Sequence, residues 1–151
     1  MAFTLELIAV LVAIAAFCLS LAQTVLGYVR EKKEATLRAY YELQDDSFYP
    51  LYKLIIPYKN GRVNFIRGDA EWNEITNCME KIENFSAGVN LGVYSLRTVD
   101  RIHGAFVIKR FDDVKDFIEE KRKEYEGTQY CEFEKMVDRL RKRQKTKKIF
   151  G

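Results

Sequence analysis

The chain has 151 residues, of which 31% are charged and 48% hydrophobic, and its formal net charge is +3. This length allows one modest domain together with an anchor. Three widely spaced cysteines, Cys18, Cys78 and Cys131, exclude a disulfide framework and lack the ligand spacing of a zinc site. We therefore expect the soluble part of the protein to occupy a reducing compartment.

The first feature along the chain is an apolar segment, residues 7–29, which reads LIAVLVAIAAFCLSLAQTVLGYV and carries no formal charge. A helix of this length measures about 35 Å, enough to cross a hydrocarbon core of about 30 Å. A secretory signal peptide is the alternative, with Ser20-Leu21-Ala22 as its cleavage site. Glu6, the lack of Lys and Arg before the segment, and its continuation to Val29 favour a retained transmembrane helix.

The flanks of this segment predict its orientation. Arg30, Lys32 and Lys33 follow it at once, whereas only the α-amino group supplies positive charge before it. Positive charge remains on the cytoplasmic side of a membrane. We therefore expect residues 1–6 outside the plasma membrane, and the chain after Arg30 in the cytoplasm.

One side of the predicted transmembrane helix, which we call the seam, carries small and polar side chains at heptad spacing: Ala9, Ala13, Ala16, Ser20, Gln23 and Gly27. Small residues let two helices in lipid approach closely, and Ser or Gln can hydrogen-bond across the contact. The seam therefore predicts a homo-oligomer or a contact with another membrane protein. A second line with the same spacing competes with it: Leu7, Leu11, Ile14, Cys18, Leu21 and Val25.

Residues 30–68 are expected to form a juxtamembrane helix and a connector. Good helix formers begin this region, and Asp45-Asp46-Ser47 together with Pro50 predicts the end of the helix. Asn60-Gly61 lies between β-prone flanks, which predicts a short hairpin within residues 51–68. An ordered loop is the alternative, because Pro57 weakens the hairpin.

The next region, residues 69–143, has the apolar periodicity of a helical bundle. Asp69 and Ser95 are the expected N-caps of two helices, Asp112-Asp113 the start of another, and Gly127-Thr128 the break before the last. The predicted fold class is therefore all-α, with one N-terminal transmembrane helix followed by a small cytoplasmic helical bundle.

The stretch KIENFSAGVNLGVYS, residues 81–95, places several small residues beside these helices. A P-loop would need Lys-Ser or Lys-Thr after its second glycine, and a dinucleotide fold would need a preceding strand. We therefore interpret the stretch as a tight corner between two helices, where Asn90 or Gly92 ends the first helix in a left-handed conformation. The residues assigned to close packing at this corner are Phe85, Gly88, Asn90 and Gly92.

The same stretch carries a resemblance to a known family. The run from Ile82 to Ser95, IENFSAGVNLGVYS, followed by Val99 and Arg101, resembles the signature of a bacterial family of unknown function. Members of that family are small single-pass membrane proteins with a helical cytoplasmic domain. The resemblance covers roughly residues 72–143 and the layout of the anchor, so it implies the topology and a helical fold. It implies no catalytic residue.

No catalytic or metal-binding constellation emerges from the sequence. His103 is the only histidine, and no Ser or Cys nucleophile motif accompanies it. Adjacent acidic residues such as Glu119-Glu120 point in different directions on a helix and make poor acid–base dyads. No ligand spacing unites His103 with Cys78 and Cys131. We therefore expect a protein without catalytic residues, without a metal and without a cofactor.

Positive charge is concentrated near the C-terminus, in seven residues: Arg139, Arg141, Lys142, Arg143, Lys145, Lys147 and Lys148. Three interpretations compete, namely a solvated terminus, attraction to anionic membrane lipid at about 1 kcal/mol per residue, and salt-sensitive binding of nucleic acid. Nucleic acid is the least favoured, because only Phe150 is available to stack on a base. Residues 144–151 are the expected basic tail.

These features predict a membrane-anchored cytoplasmic interaction or scaffold module that self-associates through its transmembrane helix. The alternative is a membrane-tethered sensor or effector whose basic tail binds anionic lipid or nucleic acid, for example in bacteriophage defence. An interaction module should expose an apolar or aromatic patch. We expect that patch around Phe48, Tyr49, Leu51 and Tyr52.

Overall fold

The computed structural model describes residues 2–60, 68–124 and 127–150. Five α-helices occupy these ranges: α1 Ala2–Leu43, α2 Tyr49–Lys59, α3 Ala70–Asn90, α4 Leu96–Glu124 and α5 Cys131–Phe150. A π-helical segment, Gln44–Phe48, joins α1 to α2. The described residues include no strand, and the predicted all-α fold is confirmed.

A single helical column leads from the apolar segment into the bundle. It consists of α1, the π-helical segment and α2, and it continues without interruption from Glu6 to Lys59. At the break predicted from Asp45-Asp46-Ser47 and Pro50 the α-helix α1 does end, at Leu43, but the chain continues as a π-helical segment and then as α2, so the predicted exit from the helix is wrong. In an α-helix, the ring of Pro50 would clash with the carbonyl four residues earlier, and the wider π-helical turn directly before it relieves that clash.

Residues 51–59, which were expected in a hairpin or a loop, are helical. Leu51 and Ile55 lie four residues apart and are each only 1% exposed, since helical spacing places both on the side that packs against α3. This burial outweighs the local turn signal of Asn60-Gly61. The rest of the predicted connector, residues 61–67, lies outside the described residues.

The column and α4 lie side by side and run in the same direction. At one end the Ser95 N–H donates to Thr36 Oγ1 at 2.8 Å. At the other end Lys59 Nζ donates to Asp113 Oδ1, also at 2.8 Å. The apolar segment leaves the bundle beside Thr36 and Ser95, and we call this the proximal end.

A bend divides α4, but not where the sequence predicted a helix start. The helix continues through Asp112-Asp113, so that prediction is wrong. Asp113, whose side chain is 7% exposed, instead pairs with buried Arg110 at 3.0 Å and with exposed Lys59 at 2.8 Å. The bend lies at His103, whose φ of −147° and ψ of 28° are not helical, directly before Gly104.

The other predicted helix boundaries are present. Asp69 has an extended backbone, with φ −63° and ψ 167°, immediately before α3. Ser95 caps α4, because its Oγ accepts the N–H of Thr98 at 3.2 Å. The last helix, α5, begins at Cys131, shortly after Gly127-Thr128.

The hydrophobic core draws on all five helices, and several of its side chains have no exposed area: Tyr40, Phe48, Ile75, Met79, Val107 and Phe133. Trp72, the only tryptophan, is 5% exposed. Its ring centroid lies 4.7 Å from that of Phe117. Trp72 is therefore a core residue, and its environment depends on the packing of α3 against α4.

Candidate functional site

The apolar segment projects from the bundle as the first part of α1. By length and composition it can cross a membrane, and its most apolar window is not buried by the rest of the chain. Large side chains are exposed around it, for example Val12 at 62%, Phe17 at 64% and Leu26 at 68%. A helix that exposes apolar side chains on all sides requires apolar surroundings, and the described chain does not supply them.

The seam runs along this segment. Its members from Ala9 to Gln23 are exposed, and Gly27 is half-buried. A Cβ built on Gly27 would meet no atom within 4 Å, so nothing described in the chain requires a glycine there. The second line, which includes Cys18, lies across the helix, because residues two positions apart point about 200° apart. The two lines are separate faces that an experiment can distinguish.

The α3–α4 corner, residues 91–95, ends α3 with a left-handed glycine. Gly92 has a φ of +83°, which side chains with a Cβ rarely adopt. Its N–H donates to the carbonyl of Val89 at 3.2 Å, and the N–H of Leu91 donates to the carbonyl of Ala87 at 2.8 Å. Of the two residues proposed from the sequence, Gly92 therefore takes the left-handed position.

Gly88 lets the ring of Tyr94 lie directly against α3. A Cβ built on Gly88 would lie 2.8 Å from both Cδ2 and Cε2 of that ring, which is too close for two carbon atoms. On its other side Tyr94 stacks on Phe85, with 5.1 Å between ring centroids and 20° between planes. The Tyr94 N–H also donates to the Gly88 carbonyl at 3.1 Å. A backbone hydrogen bond and the packing of the Tyr94 ring therefore both hold the corner against α3.

Asn90 and Glu83 join the end of α3 to the first turn of α5. Asn90 Nδ2 donates to the backbone carbonyl and to the carboxylate of Glu132, each at 2.8 Å, and its Oδ1 accepts from Arg139 at 2.9 Å. The carboxylate of Glu83 accepts the N–H of Glu132 at 2.9 Å and that of Phe133 at 2.7 Å. Glu83 thus caps α5 from another helix, at the positive end of its dipole.

Sequence reasoning did not identify Glu83. A capping carboxylate is normally sought beside the helix it caps, whereas Glu83 is 49 residues away from Glu132. One signal was available, because Tyr130 stands directly before Cys131, where Ser, Thr, Asp or Asn is usual. A helix that starts without a local cap needs its N–H groups satisfied from elsewhere.

The basic residues near the C-terminus belong to α5, and several of them have acidic partners in the bundle. Arg143 Nε and Lys147 Nζ lie 3.3 Å and 2.6 Å from Asp100 Oδ2. Arg141 pairs with Asp112 and also lies over the ring of Phe111. Much of this positive charge is therefore balanced within the fold.

Other members of the basic set remain at the surface. Lys142 and Lys145 are exposed. Arg139 and Lys142 line a shallow cleft of about 340 Å³ together with Asn90. The side chain of Lys148 lies outside the described part of the chain. The expected basic tail is the end of α5, which continues to Phe150.

Of the two α4 carboxylates that pair with basic residues of α5, Asp100 is the more deeply buried, and its side chain has no exposed area. Burial opposes its ionisation, but hydrogen bonds from Lys147 and Arg143 outweigh burial and lower the pKa of its carboxyl. Its Oδ1 would lie 2.9 Å from a Cβ built on Gly104. A glycine at this position therefore leaves room for the buried carboxylate.

His103 lies at the bend of α4 and faces the column. Its ring stacks on Tyr40, with 5.4 Å between centroids and 18° between planes, and it borders a cleft of about 500 Å³. Burial raises the pKa of the Tyr40 hydroxyl well above its ordinary range. Within the described ranges, no group of three or more His, Cys, Asp or Glu residues is arranged to hold a metal ion.

The expected aromatic patch is wrong for two of its four residues. Phe48 and Leu51 are buried, at 0% and 1% exposure, because they lie on the inner side of the column. The described residues beyond the apolar segment instead expose their largest apolar fractions at the corner, with Leu91 at 82% and Val93 at 61%. The other two residues of the expected patch, Tyr49 and Tyr52, are exposed at 47% and 44%.

Comparison with known proteins places the chain in a family. A family model described as a domain of unknown function, DUF4760, matches residues 4–140, and the chain belongs to this family. The matched range includes the apolar segment and the bundle as far as Leu140 in α5. The expected membership in a family of unknown function is confirmed. No curated protein and no solved structure matches the chain.

Proposed function

We propose that this DUF4760 protein is a membrane-anchored cytoplasmic interaction module that self-associates through the seam of its transmembrane helix. In this proposal the N-terminus lies outside a bacterial inner membrane, because Arg30, Lys32 and Lys33 follow the apolar segment. The observation that carries the proposal is the continuous helical column from the apolar segment into the hydrophobic core.

The column can couple the position of the bundle to that of the transmembrane helix, because the helix is continuous between the apolar segment and the core. Thr36 is fully buried and lies seven residues beyond Val29, about 10 Å along the helix axis. Tyr40, one turn later, is fully buried in the core. Two chains joined through their seams would therefore hold their bundles at a fixed distance and orientation, as a scaffold requires.

The basic residues of α5 support the sensor alternative less than their number alone would indicate. A residue that is already paired with a buried carboxylate must break that pair before it can bind a phosphate group. Arg143 and Lys147 are both engaged by Asp100, whereas Lys142 and Lys145 remain exposed. Interaction through the seam is therefore the function that the geometry supports best.

The test is the molecular mass of the full-length protein in mild detergent, measured for the unmodified chain and two double variants. Gln23→Leu with Gly27→Leu fills the seam with bulky side chains. Cys18→Leu with Val25→Leu is the matched control on the second line. We expect a defined oligomer for the unmodified chain and the control, and a monomer for the seam variant, because close approach needs small residues.

Two results would contradict the proposal. A monomeric unmodified chain would exclude self-association under these conditions. An unchanged mass for the seam variant, combined with dissociation of the control, would assign the contact to the second line.

A further inference from the structure

We propose that the α3–α4 corner is a membrane-contact surface, whose residues Leu91 and Val93 lie in the headgroup layer of the bilayer that α1 crosses. This proposal rests on the proposed function, because it requires α1 to span a membrane. Leu91 and Val93 are 82% and 61% exposed, although most large apolar side chains of the bundle are buried. Exposed apolar side chains that are adjacent on one surface mark a contact site.

The first observation is the position of the corner along α1. A Cβ built on Gly92 would lie 4.0 Å from Lys32 Nζ. Lys32 follows Val29, the last residue of the apolar segment, by three residues, about 4.5 Å along the axis. Lys32 Nζ also lies 5.9 Å from the ring centroid of Tyr28. The corner is therefore beside the first turn that follows the apolar segment.

A second contact fixes the direction in which the corner points. The Ser95 N–H donates to Thr36 Oγ1 at 2.8 Å, and Thr36 lies about 10 Å beyond Val29 along α1. From Ser95 back to Gly92 the chain therefore moves along α1 toward the apolar segment. The corner is the part of the α3–α4 connection that comes nearest to the end of that segment.

The distances of Lys32 and Thr36 beyond Val29 can be compared with the thickness of a bilayer. A bilayer is about 30 Å thick in its hydrocarbon core and about 40–45 Å with its headgroups, which leaves roughly 5–8 Å for each headgroup layer. If Val29 marks the edge of the hydrocarbon, the first turn after it lies within that layer. Apolar side chains of surface-bound proteins reach about 5–10 Å into the same boundary region.

The corner is rigid, so the exposure of its apolar side chains is built into the fold. Gly92 holds the left-handed turn, with φ +83°, and Tyr94 is fixed between Gly88 and Phe85. Neither Leu91 nor Val93 can turn into the core without loss of these contacts. A contact with lipid would remove both side chains from water without any change in the bundle.

Cations near the corner can meet an anionic bilayer surface, although the cleft that Tyr94 lines also holds the carboxylates of Glu42 and Asp46. Arg97, in the first turn of α4, is exposed, and Lys142 is exposed in the cleft beside Asn90. The acidic residue of that cleft, Asp138, lies 3.3 Å from Arg141 and is partly neutralised by it. Basic side chains close to the membrane surface are attracted to anionic headgroups.

Quenching of tryptophan fluorescence by brominated lipid tests the proposal on the full-length chain in vesicles of anionic lipid. The only native tryptophan is replaced by Trp72→Phe. One tryptophan is then introduced at a time, by Leu91→Trp or Val93→Trp at the corner and Val25→Trp in the apolar segment. Glu71→Trp, at the exposed opposite end of α3, is the control.

We expect an about twofold loss of fluorescence in brominated lipid for both corner tryptophans, a larger loss for Val25→Trp, and no change for Glu71→Trp. Two corner variants are used because a tryptophan at either position can alter the turn, and a quenched signal from one of them suffices. Quenching at position 25 without quenching at either corner position would overturn this proposal and leave the transmembrane helix intact.

Two other results have separate meanings. An unquenched tryptophan at position 25 would overturn the transmembrane assignment itself, and the corner proposal with it. A corner tryptophan that lipid does not quench, but that is shielded from a water-soluble quencher in the oligomer alone, would assign the corner to a second copy of the chain. That result would also overturn the proposal.

Discussion

Substitution of Gly88 by alanine tests whether the corner is held by the close approach of Tyr94. The added Cβ would lie 2.8 Å from two ring carbons, well below an ordinary carbon–carbon contact. The ring cannot slide away freely, because it stacks on Phe85 at 5.1 Å. We therefore expect Gly88→Ala to destabilise the bundle.

Two opposing terms set the size of this effect. Overpacking of a tight contact costs about 1–3 kcal/mol. Replacement of glycine by alanine inside a helix contributes about 0.5–1 kcal/mol in the stabilising direction. The expected loss in the free energy of unfolding is therefore about 1 kcal/mol, with roughly 2.5 kcal/mol as its upper limit.

The sign of the effect should reverse when the ring is removed. In a Tyr94→Ala background no ring opposes the new Cβ, so Gly88→Ala should stabilise the bundle by roughly 0.5–1 kcal/mol. Trp72 provides the assay, since it is the only tryptophan and is 5% exposed in the core. Its fluorescence during urea unfolding of the full-length chain in detergent reports the bundle, not the apolar segment.

Equal effects of Gly88→Ala in both backgrounds would refute the reasoning. Equal stabilisation would mean that the ring moves at no cost. Equal destabilisation would mean that the cost lies in the backbone of α3 and not in its contact with Tyr94.

Two further predictions use the same fluorescence assay. The folded state lowers the pKa of the Asp100 carboxyl, so its ion pairs stabilise the fold above pH about 4 and are lost as pH falls through the lowered value. Asp100→Asn should cost about 2 kcal/mol at neutral pH, and its difference from the unmodified chain should shrink in acid, whereas a constant difference would contradict the assignment. Glu83→Ala should cost about 2 kcal/mol through loss of both α5 capping bonds, and Glu83→Gln about 1 kcal/mol. The exposed neighbour Glu80→Ala is its control, and an equal loss there would contradict the capping role.

From Asp69 onward the sequence was a good guide to which segments are helical and a poorer guide to where some helices end, whereas the helix over residues 51–59 was not predicted. Apolar spacing from Asp69 onward predicted α3 because each helix of a bundle must bury one side. Asp112-Asp113 was read as a helix start, since acidic residues favour the first turn. The pairing of Asp113 with Arg110 and Lys59 depends on a residue of α2, so no local pattern could reveal it.

Local sequence predicted the turn at the corner, but it did not predict the ion pairs of α5. The left-handed turn was predictable, because glycine is the residue that adopts a positive φ at little cost. The balance of charge on α5 was not predictable, because Asp100 is 43 residues from Arg143. Only the folded chain brings that carboxylate to the basic residues and separates the paired cations from the exposed ones.

The uninterrupted column also fixes the rotation of the bundle relative to the seam, measured about the axis of α1. Each residue of an α-helix turns the chain by about 100° and advances it by about 1.5 Å. The direction in which the seam faces is therefore locked to the direction in which the corner and α5 face. Insertion of one residue between Val29 and Thr36 would rotate the bundle by about 100° around the axis of the apolar segment. Insertion of seven residues would nearly restore the original orientation. In the proposed oligomer, the short stretch between the apolar segment and the core would therefore set which surfaces two chains present to each other.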